Sequence, residues 1–422
     1  MPRVHVIGAG LSGLAGAVAL AEAGAQVILY EQAAQAGGRA RSFHEPTLDR
    51  TIDNGNHLLL SGNEAALDYL AAIGASDRLT GPGSARFDFL ELESGERWSI
   101  DLNRGPVPLW VLYGKRRVPG TALSDYLAGL KLLTAGDRTV AQLFARQGAL
   151  YRRFWEPFAV AVLNTPPEQA AARLLVPVIR ETLAKGAKAS APLIAKCGLS
   201  NTFVDPALDL LSRHGGDVRL GRRVTGFLGD SERLTELTLT RGTEPLRSGD
   251  GVVLAVPAWT AAELIPDLTV PDRFAPIVNV HFRIDHGRRP LMASPLLGLI
   301  GGTAQWLFVR DDVASVTVSA ALALAERSAH EIASAVWPEV ALALDLDPAA
   351  LPPVRVVKER RATFLASPDQ LARRPGPKTQ WRNLALAGDF TDTGLPATIE
   401  GAIRSGRTAA QLLLRARATA SS

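Results

Sequence analysis

Cysteine is all but missing: Cys197 is the single thiol in 422 residues. One thiol excludes an intrachain disulfide framework and any multi-cysteine metal site, and it suits a reducing cytoplasm. No metal is expected. Lysine is also scarce, with 7 residues against 39 arginines. That imbalance reflects coding bias, because no basic stripe interleaved with aromatics accompanies it, so a nucleic-acid partner is not expected. Long apolar runs are absent too. The longest uncharged stretch, Leu291 to Val309, is interrupted by Pro295, Gly298, Gly301, Gly302 and Gln305. That punctuation suits two strands around a Gly-Gly turn, not a membrane-spanning helix. There is no internal repeat, and an apolar strand starting at Val4 leaves no room for a signal peptide, so export is not expected. What remains is an ordinary globular composition, 47% hydrophobic and 21% charged, in a chain long enough for two domains.

The informative residues begin at once. Val4-His-Val-Ile7 reads as a strand, Gly8-Ala-Gly10-Leu11-Ser12-Gly13 as a turn, and Leu11 to Ala23 as a helix ending at Gly24. Gly8 permits the tight turn and Gly10 lets backbone approach a pyrophosphate. Gly13, with Gly16, lets the helix pack closely on the strand. The helix N-terminus then faces phosphate oxygens, which draws Leu11 and Ser12 into the same site. A second strand, Gln26 to Tyr30, ends at Glu31, with Gln32 beside it. An acid there accepts from a ribose 2′-hydroxyl and repels a 2′-phosphate, which disfavours NADP.

Gly37-Gly38-Arg39 follows Glu31, and Arg39 offers a fork of donors to phosphate oxygens. At the far end stand Ala387-Gly388-Asp389 and Pro396-Ala-Thr398-Ile399-Glu-Gly401. Together these strings resemble the FAD-dependent amine-oxidase and carotenoid-desaturase superfamily. The resemblance implies FAD, with Asp389 on the ribityl chain and Ala397, Thr398 and Ile399 at the pyrimidine end of the isoalloxazine. It also implies that the helix starting near Thr398 favours anionic reduced flavin. The backbone of Val224 would meet adenine. No Cys or His sits where members attach flavin covalently.

Ile52-Asp53-Asn54-Gly55-Asn56-His57-Leu58 resembles the stretch that passes over the flavin in carotenoid-desaturase relatives, which brings Gly55, Asn56 and His57 to the cofactor. Asn54 to Asn63 is closer still to the bacterial hydroxysqualene dehydroxylase family. Phe154-Trp-Glu-Pro-Phe, Leu163-Asn-Thr-Pro-Pro-Glu168, Phe203-Val-Asp-Pro-Ala-Leu and Gly301-Gly-Thr-Ala-Gln-Trp306 are similar to that family as well. This narrower resemblance spans nearly the whole chain. It implies reductive dehydroxylation of a long apolar isoprenoid, hydroxysqualene, to squalene in hopanoid and isoprenoid biosynthesis. Water would leave to give an allylic cation, and reduced flavin would deliver hydride. The competing reading is a carotenoid or polyprenoid desaturase or isomerase. An amine oxidase is disfavoured because Thr398 stands where an aromatic cage wall belongs. A prenyl-binding protein without redox chemistry has no reason to keep Glu31, Arg39 and Asp389 together.

The expected fold is α/β: a Rossmann-like FAD-binding domain of residues 1–75, 201–260 and 381–422, with an interleaved α+β substrate domain of 76–200 and 261–380. Helices are expected over Leu123–Leu133, Val140–Ala149, Glu168–Gly186 (kinked at Pro177) and Ala325–Leu344. Pro157 is expected to break or kink a further helix. Strands are expected over Arg223–Leu228, Ile277–Ile284 and Val354–Phe364. Residues Ala418 to Ser422 read as disordered.

Among single residues, His57 is the candidate acid, against a supporting role under the flavin loop. Asp53 reads as a tether of its own loop and Glu156 as a surface carboxylate or a buried acid. Asp205 is expected to cap a helix, Asp392 to stabilise a turn or face the ring, and Cys197 to be inert. Trp306 and Phe308 read as core. Pro108-Leu-Trp-Val-Leu-Tyr113 followed by Lys115-Arg-Arg117 is either an interfacial patch for anionic lipid or a strand and a solvated turn. Localisation is then cytoplasmic with peripheral contact on the inner membrane face. Oligomeric state stays open.

Overall fold

The computed structural model describes residues 3–285, 292 and 294–421, with no account of side chains beyond 416. Its first sheet is fully parallel, in the order Asp217–Arg219, Gln26–Tyr30, Arg3–Ile7, Gly251–Leu254, Leu384–Leu386. These strands read as apolar runs because both faces are covered, with Val4, Val6, Leu29, Val252, Val253, Leu254 and Leu386 inaccessible. The helix Leu11–Glu22 connects the first two strands, and the last helix, Ile399–Ser421, lies across it. The two ends of the chain therefore meet in one layer.

Gly16 supports this second contact. A Cβ on it would lie 3.1 Å from the Gly406 carbonyl oxygen, so Gly16 packs on the last helix and not on the strand. Gly13 does serve the strand side, since its Cβ would sit 1.9 Å from the Gly8 oxygen.

The second sheet has seven strands: Val354–Phe364, Phe274–Arg283, Val313–Val318, Trp306–Arg310, Leu296–Ile300, Arg86–Glu91 and Arg97–Asp101. All pairs are antiparallel except Leu296–Ile300 with Arg86–Glu91. Val278, Val280, Phe282, Val316 and Val318 form one face and pack under the helix Ala329–Leu344. The Leu296–Ile300 and Trp306–Arg310 strands flank Gly301-Gly302, as the punctuation predicts; Leu291 itself lies outside the described residues. A parallel cofactor-type sheet beside a largely antiparallel one is the α/β architecture expected.

The helical segment departs from expectation in detail. Leu123–Thr134 forms as a 3-10 helix. The helix from Val140 stops at Phe144, because Ala145 and Arg146 turn left-handed (φ 57° and 50°) before a new helix starts at Gly148. Pro157 breaks nothing: a π turn over Tyr151–Trp155 widens the helix just ahead of the ring and lets it run to Leu163. The same device, Ser200–Val204, precedes Pro206. Of Glu168–Gly186 only Leu175–Glu181 is α-helical. Upstream, the Ala170 carbonyl accepts from Val140 and the Ala171 N–H donates to Ala366, so tertiary bonds take the backbone that a helix would use. Pro177 falls in the first turn, where its missing N–H costs little. Ala325–Leu344 is split at Arg327, where Ser328 and Glu331 form a capping box. Helix continues through Ser421 where disorder is expected at 418–421, while Ser422 lies outside the described residues.

Candidate active site

The turn between Ile7 and Leu11 is built from backbone. Gly8 adopts φ 102°, and a Cβ there would meet the Ala255 oxygen at 2.4 Å, so only glycine fits. Gly10 differs. A Cβ on it would meet nothing within 4 Å among the described residues, so space opens in front of the helix. Gly10 is the N-cap, no side chain caps the helix, and no acid stands in its first turn. The leading N–H groups at Leu11 and Ser12 therefore stand at a helix end with open space at Gly10 and no side-chain cap.

Glu31 borders this turn, accepting from the Ala9 N–H (2.9 Å) and the Ala33 N–H (2.8 Å), with Gln32 exposed beside it. The Glu31 carbonyl accepts from Arg222, which places buried Val224 next to it. Gly37 bridges to Gly10, and a Cβ on Gly38 would lie 3.3 Å from the Gly10 Cα. The second glycine pair thus closes on the first. These features suit the adenosine diphosphate half of FAD.

Arg39 is held by protein partners: its fork donates to both Asp389 oxygens (2.8 and 2.7 Å) and to the Ala362 carbonyl. The end of the Val354–Phe364 strand brings that carbonyl within reach. Burial disfavours the Arg39 charge, but Asp389 outweighs it and raises the pKa. Beneath this pair, Arg374 was not legible in the sequence. It is buried, donates to the Asp389, Phe390 and Thr391 carbonyls, and stacks on Phe364. Burial lowers its pKa. Gly388 donates to Ser405 (2.9 Å), Thr398 accepts from Gly401 at the start of the last helix, and buried Ile399 begins that helix. Asp392 accepts from Gly394, the turn-stabilising role.

The loop from Asp53 to Leu58 crosses between the sheets. Asp53 accepts from Ser42 (2.5 Å), Leu199 N–H (2.8 Å) and Arg310 (2.8 Å), tying three segments together. Asn56 donates to Thr317 (3.0 Å), whose hydroxyl donates to Asn279 (2.8 Å), which in turn donates to the Asn54 carbonyl. His57 lines a small cavity shared with Asp53, Asn56, Leu199, Phe308, Arg310 and Ser315. Burial lowers the His57 pKa, with Asp53 opposing. Phe308 is therefore cavity wall as well as core, contrary to the sequence reading. An apolar cluster of Leu58, Phe87, Ile194, Leu296, Trp306 and Phe308 adjoins this cavity.

Four polar residues on the floor of this region were missed. Asn279 pairs with Thr317 and His281 with Ser315 across two adjacent strands. The His281 Nδ1 lies 2.7 Å from the Ser315 hydroxyl, and among the described residues its Nε2 has no partner. Burial lowers its pKa to about 4, so it is neutral at pH 7. A neutral ring leaves the smaller penalty when the orphan nitrogen is the unprotonated one. Nδ1 then donates to Ser315, and the Ser315 O–H is free to donate into the cavity. The only signal was polar–apolar alternation in Val278 to Phe282 and Ala314 to Val318, which ordinarily marks a solvent face.

Other candidates fall away from this site. Glu156 has its pKa raised by burial, and its charged neighbours are Arg146 and Glu168. Asp205 lies inside a continuous helix and caps nothing. Cys197 is exposed.

Comparison with known proteins agrees with this geometry. Residues 11–414 match the family described as flavin containing amine oxidoreductase. The chain is 45% identical to the hydroxysqualene dehydroxylase of Sinorhizobium fredii, over 98% of this chain and 99% of that protein. It is 46% identical to the Zymomonas mobilis hydroxysqualene dehydroxylase over the same shares. The 15-cis-phytoene desaturase of Glycine max is 24% identical, over 98% of this chain and 79% of that protein. Among solved structures, putrescine oxidase bound to putrescine superposes with a TM-score of 0.71 at 15% identity, covering 98% and 99% of the two chains. That likeness shows the fold alone. With a cradle that fits its cofactor, the chain belongs to the flavin-containing amine oxidoreductase family and, within it, to the hydroxysqualene dehydroxylases, as an FAD-dependent oxidoreductase.

Proposed function

We propose that this enzyme removes the hydroxyl group of hydroxysqualene reductively, giving squalene, in hopanoid and isoprenoid biosynthesis. The observation that carries the reading is 45–46% identity to proteins of that name along 98% of the chain. Reduced FAD, when bound, supplies the hydride that replaces the hydroxyl and leaves oxidised. Every other requirement falls on side chains and backbone. With FAD bound, Gly8 to Gly13 would hold the pyrophosphate with Leu11 and Ser12, Glu31 and Gln32 would border the ribose, and Val224 the adenine. Gly38, Gly388 and the Arg39–Asp389 pair would hold the middle of the cofactor. Gly55, Asn56, Thr398 and Ile399 would face its ring end.

His57 is the acid. In the imidazolium both ring nitrogens carry a proton, so His57 lining the cavity has one to donate there. A lowered pKa makes that form scarcer and more acidic, which suits protonation of a departing hydroxyl oxygen. The C–O bond breaks, water leaves with that proton, and the allylic cation stays in surroundings where Leu58, Phe87, Ile194 and Phe308 exclude recapturing water. The domain division at 1–75, 201–260 and 381–422 against 76–200 and 261–380 is supported by the two large sheets, each drawing its strands from one group, while a small sheet of Leu59–Leu60, Pro192–Ala195 and Leu79–Thr80 joins the two groups. Location in the cytoplasm rests on the single thiol, and contact with the inner membrane face on the apolar substrate.

The test is anaerobic incubation of hydroxysqualene with enzyme and FAD reduced in deuterated solvent. Squalene with one deuterium at the former carbinol carbon is expected. Unlabelled squalene, or a dehydrogenated polyene made by oxidised enzyme, overturns the reading in favour of a desaturase.

A further inference from the structure

Thirteen large hydrophobic side chains stand exposed among the described residues, and eight of them lie between Val107 and Leu133. They are Val107, Leu109, Leu112 and Tyr113, then Leu123, Leu127, Leu130 and Leu133, at 47–80% exposure. Single surface leucines are ordinary; eight from one short segment form a patch that needs a partner.

The segment is built, not loose. Two 3-10 turns, Leu109–Leu112 and Gly114–Arg116, precede the 3-10 helix Leu123–Thr134. With three residues per turn, Leu127, Leu130 and Leu133 eclipse along one edge. The opposite side is anchored: Leu132 is buried, Tyr126 meets Trp110 edge-on at 5.4 Å, and Gly129 lies against Trp155. The outward leucines are thus held outward by packing beneath them.

Charge identifies the partner. Residues 103–134 contain Arg104, Lys115, Arg116, Arg117 and Lys131 against Asp125 alone, +5 − 1 = +4, equal to the formal net charge of the whole chain. Asp125 is engaged in accepting from the Ala122 N–H, and Arg116 pairs with Asp101 at 3.5 Å. An exposed apolar edge on a segment of net charge +4 matches the interface of an anionic bilayer. A symmetric contact between two copies would set like charge on like charge.

We propose that residues 107–133 seat this enzyme on anionic phospholipid bilayer, leucines in the acyl boundary and cations at the headgroups. The apolar cluster under the patch, with Trp110 and Leu132, is continuous with Phe364, Phe390 and Ala397 beside Thr398, so the patch is fixed to the same core that supports the candidate site. The proposal specifies the membrane contact of the reading above. Its test reads binding, so it stands or falls apart from turnover.

Flavin-loaded full-length protein is sedimented with phosphatidylcholine vesicles, with and without phosphatidylglycerol. Co-sedimentation with the anionic vesicles, weakened by salt, is expected. Leu127→Ser/Leu130→Ser/Leu133→Ser should lower partitioning by at least about tenfold while flavin content is kept. Each of Lys115→Gln, Arg117→Gln and Lys131→Gln should lower it roughly fivefold. No binding to anionic vesicles, or unchanged binding of the triple leucine variant, overturns the proposal. So does wild-type self-association that the leucine variant abolishes, which would make the patch an interface between copies.

Discussion

The two sheets bury polar residues for different ends. In the parallel sheet, His5 is inaccessible and turned on its own layer: Nδ1 lies 3.1 Å from the Tyr30 hydroxyl and the ring stacks at 5.9 Å. In the seven-stranded sheet, Asn279, His281, Ser315 and Thr317 are just as buried, but on the face that meets the Asp53–Leu58 loop, with Ser315 in the cavity wall. The first sheet presents the glycine turn at a strand end; the second presents side chains from its face to the Asp53–Leu58 loop. Damage to the first should therefore appear as lost flavin, and damage on the face or loop as lost turnover with flavin retained.

The sharpest test is His57→Ala, expected to lower turnover by about 10²–10⁴ with flavin kept. The wild-type rate should fall as pH rises through the His57 pKa, which lies below the usual 6.5, because the cavity proton is lost. A flat profile, or an apoprotein, would dissolve the distinction between the regions.

Next come the two buried histidines, one per sheet, both lowered by burial to about 4. The unfolded chain takes up their protons near pH 6.5 while the folded one refuses them, so their stability is present above that pH. It is lost as pH falls toward 4, by up to about 3 kcal/mol for each. Urea midpoints across this range should show the loss, and His281→Asn should remove half of it without changing flavin content.

Asp389→Ala strands the Arg39 guanidinium and should yield apoprotein, with a stability loss of about 2 kcal/mol. That figure is below the usual buried-pair cost because the Arg39 side chain is 39% exposed. Flavin absorbance and Tm report both. Glu31→Gln should weaken FAD by roughly 1–3 kcal/mol in its dissociation constant. The smallest effect belongs to Ser315→Ala, about 1 kcal/mol in kcat/KM with unchanged flavin and Tm. His281→Asn, which keeps a donor toward Ser315, should preserve more activity than His281→Phe.

The first strand–turn–helix unit was readable in advance. Gly8, Gly13 and Glu31 act through local backbone geometry, and the strands around them follow from runs that only a doubly covered sheet accepts. The helical segment was read less well, since Ala170 and Ala171 spend their backbone groups on Val140 and Ala366, partners remote in sequence. Arg374 and the Arg39–Asp389 pair were likewise invisible as contacts, although two of the three residues were singled out.

The chain by itself determined where backbone must bend, pack and face an anion, because those demands are met by residues within one strand–turn–helix unit. Only the tertiary structure decided which face of a strand is wet. Alternation in Val278 to Phe282 is the same whether its polar side meets water or a buried loop, and a helix expected over Leu123–Leu133 did not say which leucines face out until the packing turned Leu127, Leu130 and Leu133 outward.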